Sequence, residues 1–254
     1  LFPYTTLFRS PCIKIKDQPR FQYRAMHLDV SRHFMPVEDV KKYIDYLAMY
    51  KFNTFHWHLT DDEGWRIEID KYPKLTGDKK GTYFTKDELR DIVAYAKKRC
   101  VMIIPEIGMP AHTVAMMSAY PEYSCRGKPP KKRTYSPVMP CLGSEATYDF
   151  IDGILTEVVD TFPAPYFHIG GDEAWHSGYG EWENCPTCQR TIKDGNLQGV
   201  RGLQIHFANR IAILLREKGR RAIMWGCLAQ DAKEGEIDDS IIIQWWNKRS
   251  AKFK

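Results

Sequence analysis

The hydrophobic positions of this chain switch repeatedly between two spacings. Short runs rich in β-branched and aromatic residues, such as Thr54–Thr60, indicate buried strands. Between such runs, apolar residues recur every three or four positions, as at Val37, Val40, Ile44 and Leu47, which is the spacing of an amphipathic helix. The predicted strands are Arg24–Val30, Thr54–Thr60, Val101–Ile107, Tyr166–Ile169, Arg221–Trp225 and Ser240–Trp246.

Helices are predicted in four of the intervals between these strands. They cover Val37–Lys51, a stretch opened by the capping box at residues 85–88, Ser144–Phe162, and a segment containing Leu203 and Leu214 that Gly219 ends. Alternation of strands with helices predicts parallel βαβ units, and hence an α/β fold.

A doubly wound sheet and a (β/α)8 TIM barrel both fit this alternation. No glycine-rich phosphate loop follows the first strand, which disfavours a dinucleotide-binding sheet. A polar or aromatic residue lies at or just after the end of each of the six strands, as an active site at the carboxyl end of a barrel requires. These residues are Arg32, Asp61, His112, Asp172 with Glu173, Trp225 and Trp246. The barrel is therefore favoured, with about six of its eight strand–helix units present.

Composition excludes several classes of protein. The 254 residues are 43% hydrophobic and contain no long apolar run, so the chain is predicted to be neither disordered nor membrane-spanning. The formal net charge of +5 is not clustered on any predicted helix, so no nucleic-acid partner is expected.

The first ten residues, LFPYTTLFRS, resemble a translated sequencing adapter rather than a targeting signal. They are treated as a non-native segment, and residues 11–254 as a partial barrel domain. Without Arg9 the net charge is +4. Localisation stays open between secreted, periplasmic and lysosome-like compartments.

The seven cysteines give no clear disulfide framework. Cys185 and Cys188 form a C-P-x-C sequence, which is typical of half a zinc site, but no second CxxC or suitably spaced histidine pair completes it. An ordinary loop is the default prediction for this segment.

The chemistry concentrates in the hexapeptide HIGGDE, residues 168–173. Gly170 and Gly171 allow the chain to turn sharply and to aim Asp172 and Glu173 inward, and Trp175 adds an aromatic side chain beside them. Two carboxylates suggest glycoside hydrolysis, but an ordinary retaining enzyme takes its pair from opposite sides of the sugar. Adjacent acids favour substrate-assisted catalysis, in which the nucleophile belongs to the substrate.

These residues stand among stretches that resemble the catalytic barrel of the family 20 glycoside hydrolases, the β-N-acetylhexosaminidases. The matching stretches are YRAMHLDVSRHF (23–34), FHWHLTDDEGWRIEID (55–70), PEIGMPAH (105–112), HIGGDE and IIIQWWN (241–247). The resemblance implies a retaining exo-β-N-acetylhexosaminidase that acts on glycans ending in N-acetylglucosamine or N-acetylgalactosamine, without a metal or organic cofactor. It leaves the oligomeric state open.

The resemblance also implies a role for each candidate residue. Glu173 is expected to be the general acid, and Asp172 to orient the acetamido N–H and stabilise the oxazolinium intermediate. Arg32 is expected to bind ring hydroxyls, and Asp61 with His112 to support Glu173. Trp225 and Trp246 are expected to form walls around the acetamido group. Two like charges in one pocket should raise the pKa of one carboxyl group.

Two features depart from the family pattern. Gly108 stands where the family usually has aspartate, and Ala111 where it has glycine, so a supporting carboxylate is missing. The second departure is that only six of the eight barrel strands are found. A tyrosine for the acetamido carbonyl and an acid for the ring hydroxyls are therefore expected from later strands. A barrel short of two strands is expected to be unstable and inactive as a 254-residue chain.

Two other classes of function stay open. One is a metal-dependent barrel hydrolase, in which His56, His58, His112, His168 and Asp172 bind zinc or a similar ion. The other is a non-catalytic sugar-binding relic, which the loss of an acid at Gly108 makes plausible.

Overall fold

Six parallel strands lie side by side in the order in which they occur in the sequence. The computed structural model describes residues 12–77, 81–129, 138–174 and 179–246. Its strands are Ala25–Asp29 (β1), Thr54–Thr60 (β2), Met102–Met109 (β3), Tyr166–Gly170 (β4), Arg221–Trp225 (β5) and Ile242–Gln244 (β6). A doubly wound sheet reverses its strand order at a switch point, whereas a barrel wall does not. The sequential order therefore agrees with the predicted incomplete (β/α)8 barrel. The adapter-like first ten residues lie outside the described residues.

Helices fill most of the connections. They are Val37–Met49 (α1), Lys86–Lys97 (α2), Val114–Ala119 (α3), Glu145–Thr161 (α4), Tyr179–Glu183 (α5), Pro186–Asp194 (α6) and Gly199–Glu217 (α7). The four predicted helices are present as α1, α2, α4 and α7. The capping box is also confirmed, because the Thr85 side chain accepts from the Glu88 amide while the Glu88 carboxylate accepts from the Thr85 amide.

Three helices were not predicted, namely α3, α5 and α6, and they are too short to show an apolar repeat. The prediction of an ordinary loop at Cys185–Cys188 is wrong, because Cys185 caps α6 and Pro186 begins it. The connection from β5 to β6 is described throughout, and it contains a 3-10 turn at Leu228–Asp231 but no α-helix.

The sheet separates an apolar layer from a polar one. Every residue of β2 is buried. Phe55 and Trp57 face the helices, where Phe55 packs against Tyr43 of α1 with 5.4 Å between ring centroids. His56 and His58 alternate with them and therefore point to the opposite face, toward the barrel axis. None of the helices in the described part of the chain has the length and apolar character needed to span a bilayer.

The axial face changes character along the strands. Near the amino ends, Ile104, Ala164 and Ile223 form a small apolar cluster. Nearer the carboxyl ends, Glu106 and His168 are completely buried on the same face. Branched apolar residues usually fill a barrel interior, so buried ionisable groups at this level mark the functional end.

Candidate active site

The turn after β4 presents two carboxylates from one side. Gly170 and Gly171 adopt φ values of +73° and +94°, as the sequence predicts, and Glu173 follows at +50°. A Cβ atom on Gly170 would lie 3.0 Å from the backbone of Gly108, so β3 and β4 approach too closely for a side chain there. The turn leaves the Asp172 and Glu173 side chains 27% and 40% exposed.

His112 lies between two pairs of acids. Its Nε2 atom is 3.6 Å from Oδ2 of Asp172 and 3.5 Å from Oε2 of Glu173. Its Nδ1 atom is 3.4 Å from Oδ1 of Asp61 and 3.5 Å from Oδ2 of Asp62. Burial by itself lowers the pKa of His112, but the surrounding carboxylates outweigh burial and raise it to about 11. His112 is therefore an imidazolium at neutral pH, and its charge faces both candidate catalytic acids.

The sequence predicts that repulsion between the two adjacent acids raises the pKa of one of them, whereas the main cause in the structure is burial of Asp172. Burial raises the pKa of the Asp172 carboxyl group, and the negative charges of Glu106 and Asp61 act in the same direction. The charge of His112 opposes this shift. The charge of His112 therefore favours the ionised form of the half-buried Asp172 carboxyl group.

Asp61 connects His112 to the arginine after β1. Its carboxylate is 2% exposed, and Oδ2 lies 2.8 Å from a guanidinium nitrogen of Arg32. Burial favours the neutral acid, but hydrogen bonds from His112 and His58 and the charge of Arg32 hold the pKa of Asp61 well below its usual range. The predicted Asp61–His112 pair is thus in contact, and its members lie at the ends of β2 and β3.

Three carboxylates orient Arg32. Besides Asp61, its guanidinium lies 2.6 Å from Asp29 and 3.3 Å from Glu63. The Asp29 carboxylate also accepts from the backbone amides of Ser31 and Arg32, which fixes the bend after β1. The Arg32 side chain is still 45% exposed, so it is accessible to a ligand at this end of the sheet.

Glu106 is a central residue that the sequence analysis did not single out. It is fully buried on β3, and its carboxylate oxygens lie 2.7 Å from Nε2 of His56, 2.8 Å from Nδ1 of His58 and 3.3 Å from Nδ1 of His168. Burial favours the neutral acid, but His168, His58 and His27 hold the pKa of Glu106 well below its ordinary value. A lone glutamate in an apolar strand, with histidines on the neighbouring strands, was the available signal.

The two tryptophans occupy different positions at the ends of β5 and β6. The Trp225 indole N–H donates to Oε1 of Glu106 at 2.9 Å, and its ring lies 4.6 Å from that of His168. Trp246 is 48% exposed, and its N–H donates to the Cys227 sulfur at 2.9 Å. Trp225 therefore lies inside the barrel, whereas Trp246 is available at the surface. Trp175 lies outside the described residues.

The proposed metal ligands do not form one set. His56, His58 and His168 contact Glu106, whereas His112 contacts Asp172. Among the described residues, no group of candidate ligands close enough to share an ion combines His112 with His56 or His168. The arrangement thus separates the residues that this hypothesis joins.

Gly108 lies next to the site. Its amide donates to the Thr60 hydroxyl at 3.1 Å, and an added Cβ would make only ordinary contacts, 3.4 Å from the Thr60 carbonyl oxygen. The backbone therefore has room for a Cβ atom at the position where the family usually carries aspartate, although Gly170 packs against it from the other side.

Comparison with known proteins identifies relatives of this chain. A β-hexosaminidase of Porphyromonas gingivalis is 40% identical over 249 residues, which is 93% of this chain and 31% of that protein. A β-hexosaminidase of Vibrio furnissii is 37% identical over 95% of this chain and 42% of its own length. The chain therefore spans about a third to two fifths of these two relatives.

Solved structures show the same fold. The crystal structure of a β-N-acetylhexosaminidase from Bacteroides fragilis superimposes with a TM-score of 0.85 at 37% identity, covering 96% of this chain and 50% of that one. An exo-β-N-acetylglucosaminidase from Vibrio harveyi, in complex with N-acetylglucosamine, gives a TM-score of 0.77 at 35% identity over 91% of this chain and 39% of that one. The predicted barrel fold is confirmed. The catalytic domain of glycosyl hydrolase family 20 matches residues 21–254, and the chain belongs to that family.

Proposed function

We propose that the whole protein is a retaining, substrate-assisted exo-β-N-acetylhexosaminidase that removes terminal N-acetylglucosamine or N-acetylgalactosamine from glycans or chito-oligosaccharides. One observation carries the proposal: Asp172 and Glu173 leave the same turn, and both face the imidazolium of His112. Two acids on one side of a sugar suit a reaction whose nucleophile is the substrate's own acetamido group. Family membership and the names of the relatives support the same activity.

Glu173 is the proposed general acid. Its side chain is the more exposed of the two, which suits a group that must reach the glycosidic oxygen between two sugars. It donates a proton to that oxygen as the bond to the anomeric carbon breaks, and it later takes a proton from the attacking water. The nearby His112 does not need to move a proton in either step.

Asp172 is the proposed partner of the acetamido group. Its carboxylate accepts from the acetamido N–H, so that the carbonyl oxygen is aimed at the anomeric carbon. The oxygen displaces the leaving group and forms a cationic oxazolinium ring. A negative carboxylate in this half-buried position stabilises that cation, because the local dielectric constant is lower than in water.

The remaining residues are proposed to hold the sugar. Arg32 presents a planar fork of donors that suits two neighbouring ring hydroxyls, and Asp29, Asp61 and Glu63 keep it in place. Trp225 and Trp246 supply apolar surface at the ends of β5 and β6, where the acetamido methyl would lie. The ligand in the Vibrio harveyi relative, N-acetylglucosamine, is of this chemical class.

The test compares two aryl glycosides that differ only at carbon 2. The whole protein should hydrolyse 4-nitrophenyl N-acetyl-β-glucosaminide and release the β-anomer first, but it should barely cleave 4-nitrophenyl β-glucoside. A thiazoline mimic of the bicyclic intermediate should inhibit it strongly. Comparable rates on both glycosides would disprove substrate assistance. Binding of N-acetylglucosamine without turnover would favour the sugar-binding alternative.

A further inference from the structure

Four cysteines from separate parts of the chain come together away from the catalytic acids. The Sγ atoms of Cys125 and Cys188 are 3.7 Å apart, those of Cys141 and Cys185 are 3.7 Å apart, and those of Cys141 and Cys188 are 3.9 Å apart. All four sulfurs lie within 4.8 Å of one another. The amino-acid sequence indicates only the Cys185–Cys188 half of this cluster.

The sulfur separations match a tetrahedral metal site. Zinc binds thiolate sulfur at about 2.3 Å, so two sulfurs of a tetrahedral zinc site lie about 3.8 Å apart. A disulfide instead requires about 2.05 Å between the sulfurs. All four thiols are free, and the three separations given above are close to the edge of a zinc–sulfur tetrahedron.

The backbone presents the ligands in two pairs. Cys125 and Cys141 flank the antiparallel bridge between Ser124 and Pro140, which is held by the Cys141 amide donating to the Tyr123 carbonyl at 2.8 Å. Cys185 caps α6 and Cys188 lies in its first turn, so the two-residue spacing places both sulfurs at the same end of that helix. A metal would therefore join the segment that follows β3 to the segment that follows β4.

The neighbouring segments bury the cysteine cluster and pack tightly against one another. Cys141, Cys185 and Cys188 are 7%, 5% and 0% exposed. The Trp182 indole N–H donates to the Pro140 carbonyl at 3.0 Å, which ties α5 to the Cys141 segment. A Cβ atom on Gly143 would lie 2.6 Å from the Thr187 carbonyl oxygen, so the chain after Cys141 packs directly against the first turn of α6. Four protein ligands with no open position are typical of structural zinc.

We propose that Cys125, Cys141, Cys185 and Cys188 bind one structural zinc ion. Four thiolates in a tetrahedron favour zinc over the hard cations, which prefer oxygen ligands. The ion fastens together the two connections that carry His112 and the Asp172–Glu173 turn. Its role is to hold these connections, and it takes no part in the chemistry. The inference stands on the cysteine geometry alone and does not depend on the proposed activity.

The decisive measurement is on the unmodified protein, produced with zinc in the medium and dialysed. Elemental analysis should give one zinc per chain, and zinc X-ray absorption should show four sulfurs at about 2.3 Å. A cobalt-substituted sample should show the intense visible bands of a tetrahedral thiolate site. Nitrogen or oxygen ligands around the zinc, stoichiometric iron, or four free thiols without metal would each overturn the proposal.

Variants give a second, independent test. Cys125→Ser and Cys188→Ser should lose the zinc and unfold at a lower temperature, whereas Cys12→Ser and Cys100→Ser, at exposed positions, should retain one zinc per chain. If the serine variants do not fold, Cys188→His should retain zinc, because imidazole can replace one thiolate. Retention of full zinc by both serine variants would refute the assignment. So would peptide mapping that finds Cys125–Cys188 and Cys141–Cys185 disulfides in metal-free protein.

Discussion

The indole N–H of Trp225 donates a 2.9 Å hydrogen bond to Oε1 of Glu106, and this bond joins β5 to β3 across the intervening strand. It anchors one end of a series of contacts in which acids and histidines alternate. Glu106 contacts His58, His58 contacts Asp61, and Asp61 contacts His112, which faces Asp172. Because acids and histidines alternate, each buried charge is balanced by its neighbours. Removing the charge of Glu106 should therefore alter the pKa of Asp172.

Replacing Glu106 with glutamine tests this connection. Removal of one partner from a buried ionic network usually costs about 3–5 kcal/mol of unfolding free energy, because the remaining charges lose their compensation. Glu106→Gln should therefore be strongly destabilised in urea unfolding. It should also move the acidic limb of the kcat profile to lower pH, because Glu106 raises the pKa of Asp172.

Asp91→Asn is the matched control, since its carboxylate pairs with Lys41 and is 59% exposed. This variant should change neither stability nor the pH profile appreciably. If Glu106→Gln were as stable as the control, the ionic network would have no structural importance.

Stability should fall on both sides of neutral pH. The pKa of His58 is raised to about 10 and that of His112 to about 11, after burial is outweighed by neighbouring acids. Both values exceed the unfolded value of about 6.5. The two histidines therefore make their full contribution to the free energy of unfolding below about pH 6.5, and this contribution is lost as the pH rises through 10 to 11. Burial lowers the pKa of His56 to about 4, so its contribution is present above about pH 6.5 and is lost as the pH falls toward 4.

Equilibrium unfolding across the pH range checks these signs. His112→Gln should reduce the loss of unfolding free energy at alkaline pH and leave the loss at acidic pH unchanged. His56→Gln should reduce the loss at acidic pH and leave the loss at alkaline pH unchanged. His206, a half-buried histidine of α7, provides a comparison outside the network, and His206→Gln should leave the alkaline limb unchanged. An alkaline limb that is identical in His112→Gln and the unmodified protein would contradict the raised pKa.

The sequence predicted the site residues that follow strands better than those that lie within strands. Asp61, His112 and Asp172 were found because each follows a strand, and parallel strands bring their carboxyl ends to one edge. Glu106 was missed because it lies within a strand, where its neighbours come from other strands and the one-dimensional pattern shows only an apolar run. Cys125 and Cys141 were missed for a similar reason, since they are 16 residues apart and an antiparallel bridge, rather than a short fixed spacing, brings them together.

Glu173→Gln should distinguish substrates by their leaving groups. A glycoside with a poor leaving group needs the proton that Glu173 donates, so its kcat/KM should fall by about 10²–10⁴-fold in the whole protein. An activated aryl glycoside should lose much less. Glu183→Gln, at an exposed position on α5, is the control and should behave like the unmodified protein. Equal losses on the two substrates would remove Glu173 from the role of general acid.

Asp172→Asn should act on turnover rather than on binding. The amide keeps the size of the side chain but loses the charge that stabilises the oxazolinium ring, so kcat should fall by about 10²-fold or more. The loss should appear on activated aryl substrates as well, because the oxazolinium ring forms in the same step in which any leaving group departs. Initial rates on the aryl N-acetylglucosaminide provide the measurement. Near-normal kcat with a raised KM would mean that Asp172 only binds the sugar.

The open edges of the sheet predict how the 254-residue chain behaves on its own. β1 and β6 are the outer strands, and Tyr23, Met26 and Gln244 line an opening between them. Tyr23 and Met26 are 49% and 44% exposed, and they border strand edges that face no neighbouring strand among the described residues. Exposed edges of this kind recruit other chains.

The chain should therefore self-associate and lack N-acetylglucosaminidase activity. The backbone N–H and C=O groups at the open edges of β1 and β6 lack strand partners among the described residues. Each such group that becomes buried costs about 1–3 kcal/mol of unfolding free energy. A whole domain is stable by only about 5–15 kcal/mol, so a few such groups remove most of its stability. Light scattering during size exclusion should show concentration-dependent association, and Met26→Lys should reduce it by placing a charge at the edge. A stable monomer with a cooperative thermal transition and measurable turnover would show that six strands suffice for both folding and catalysis.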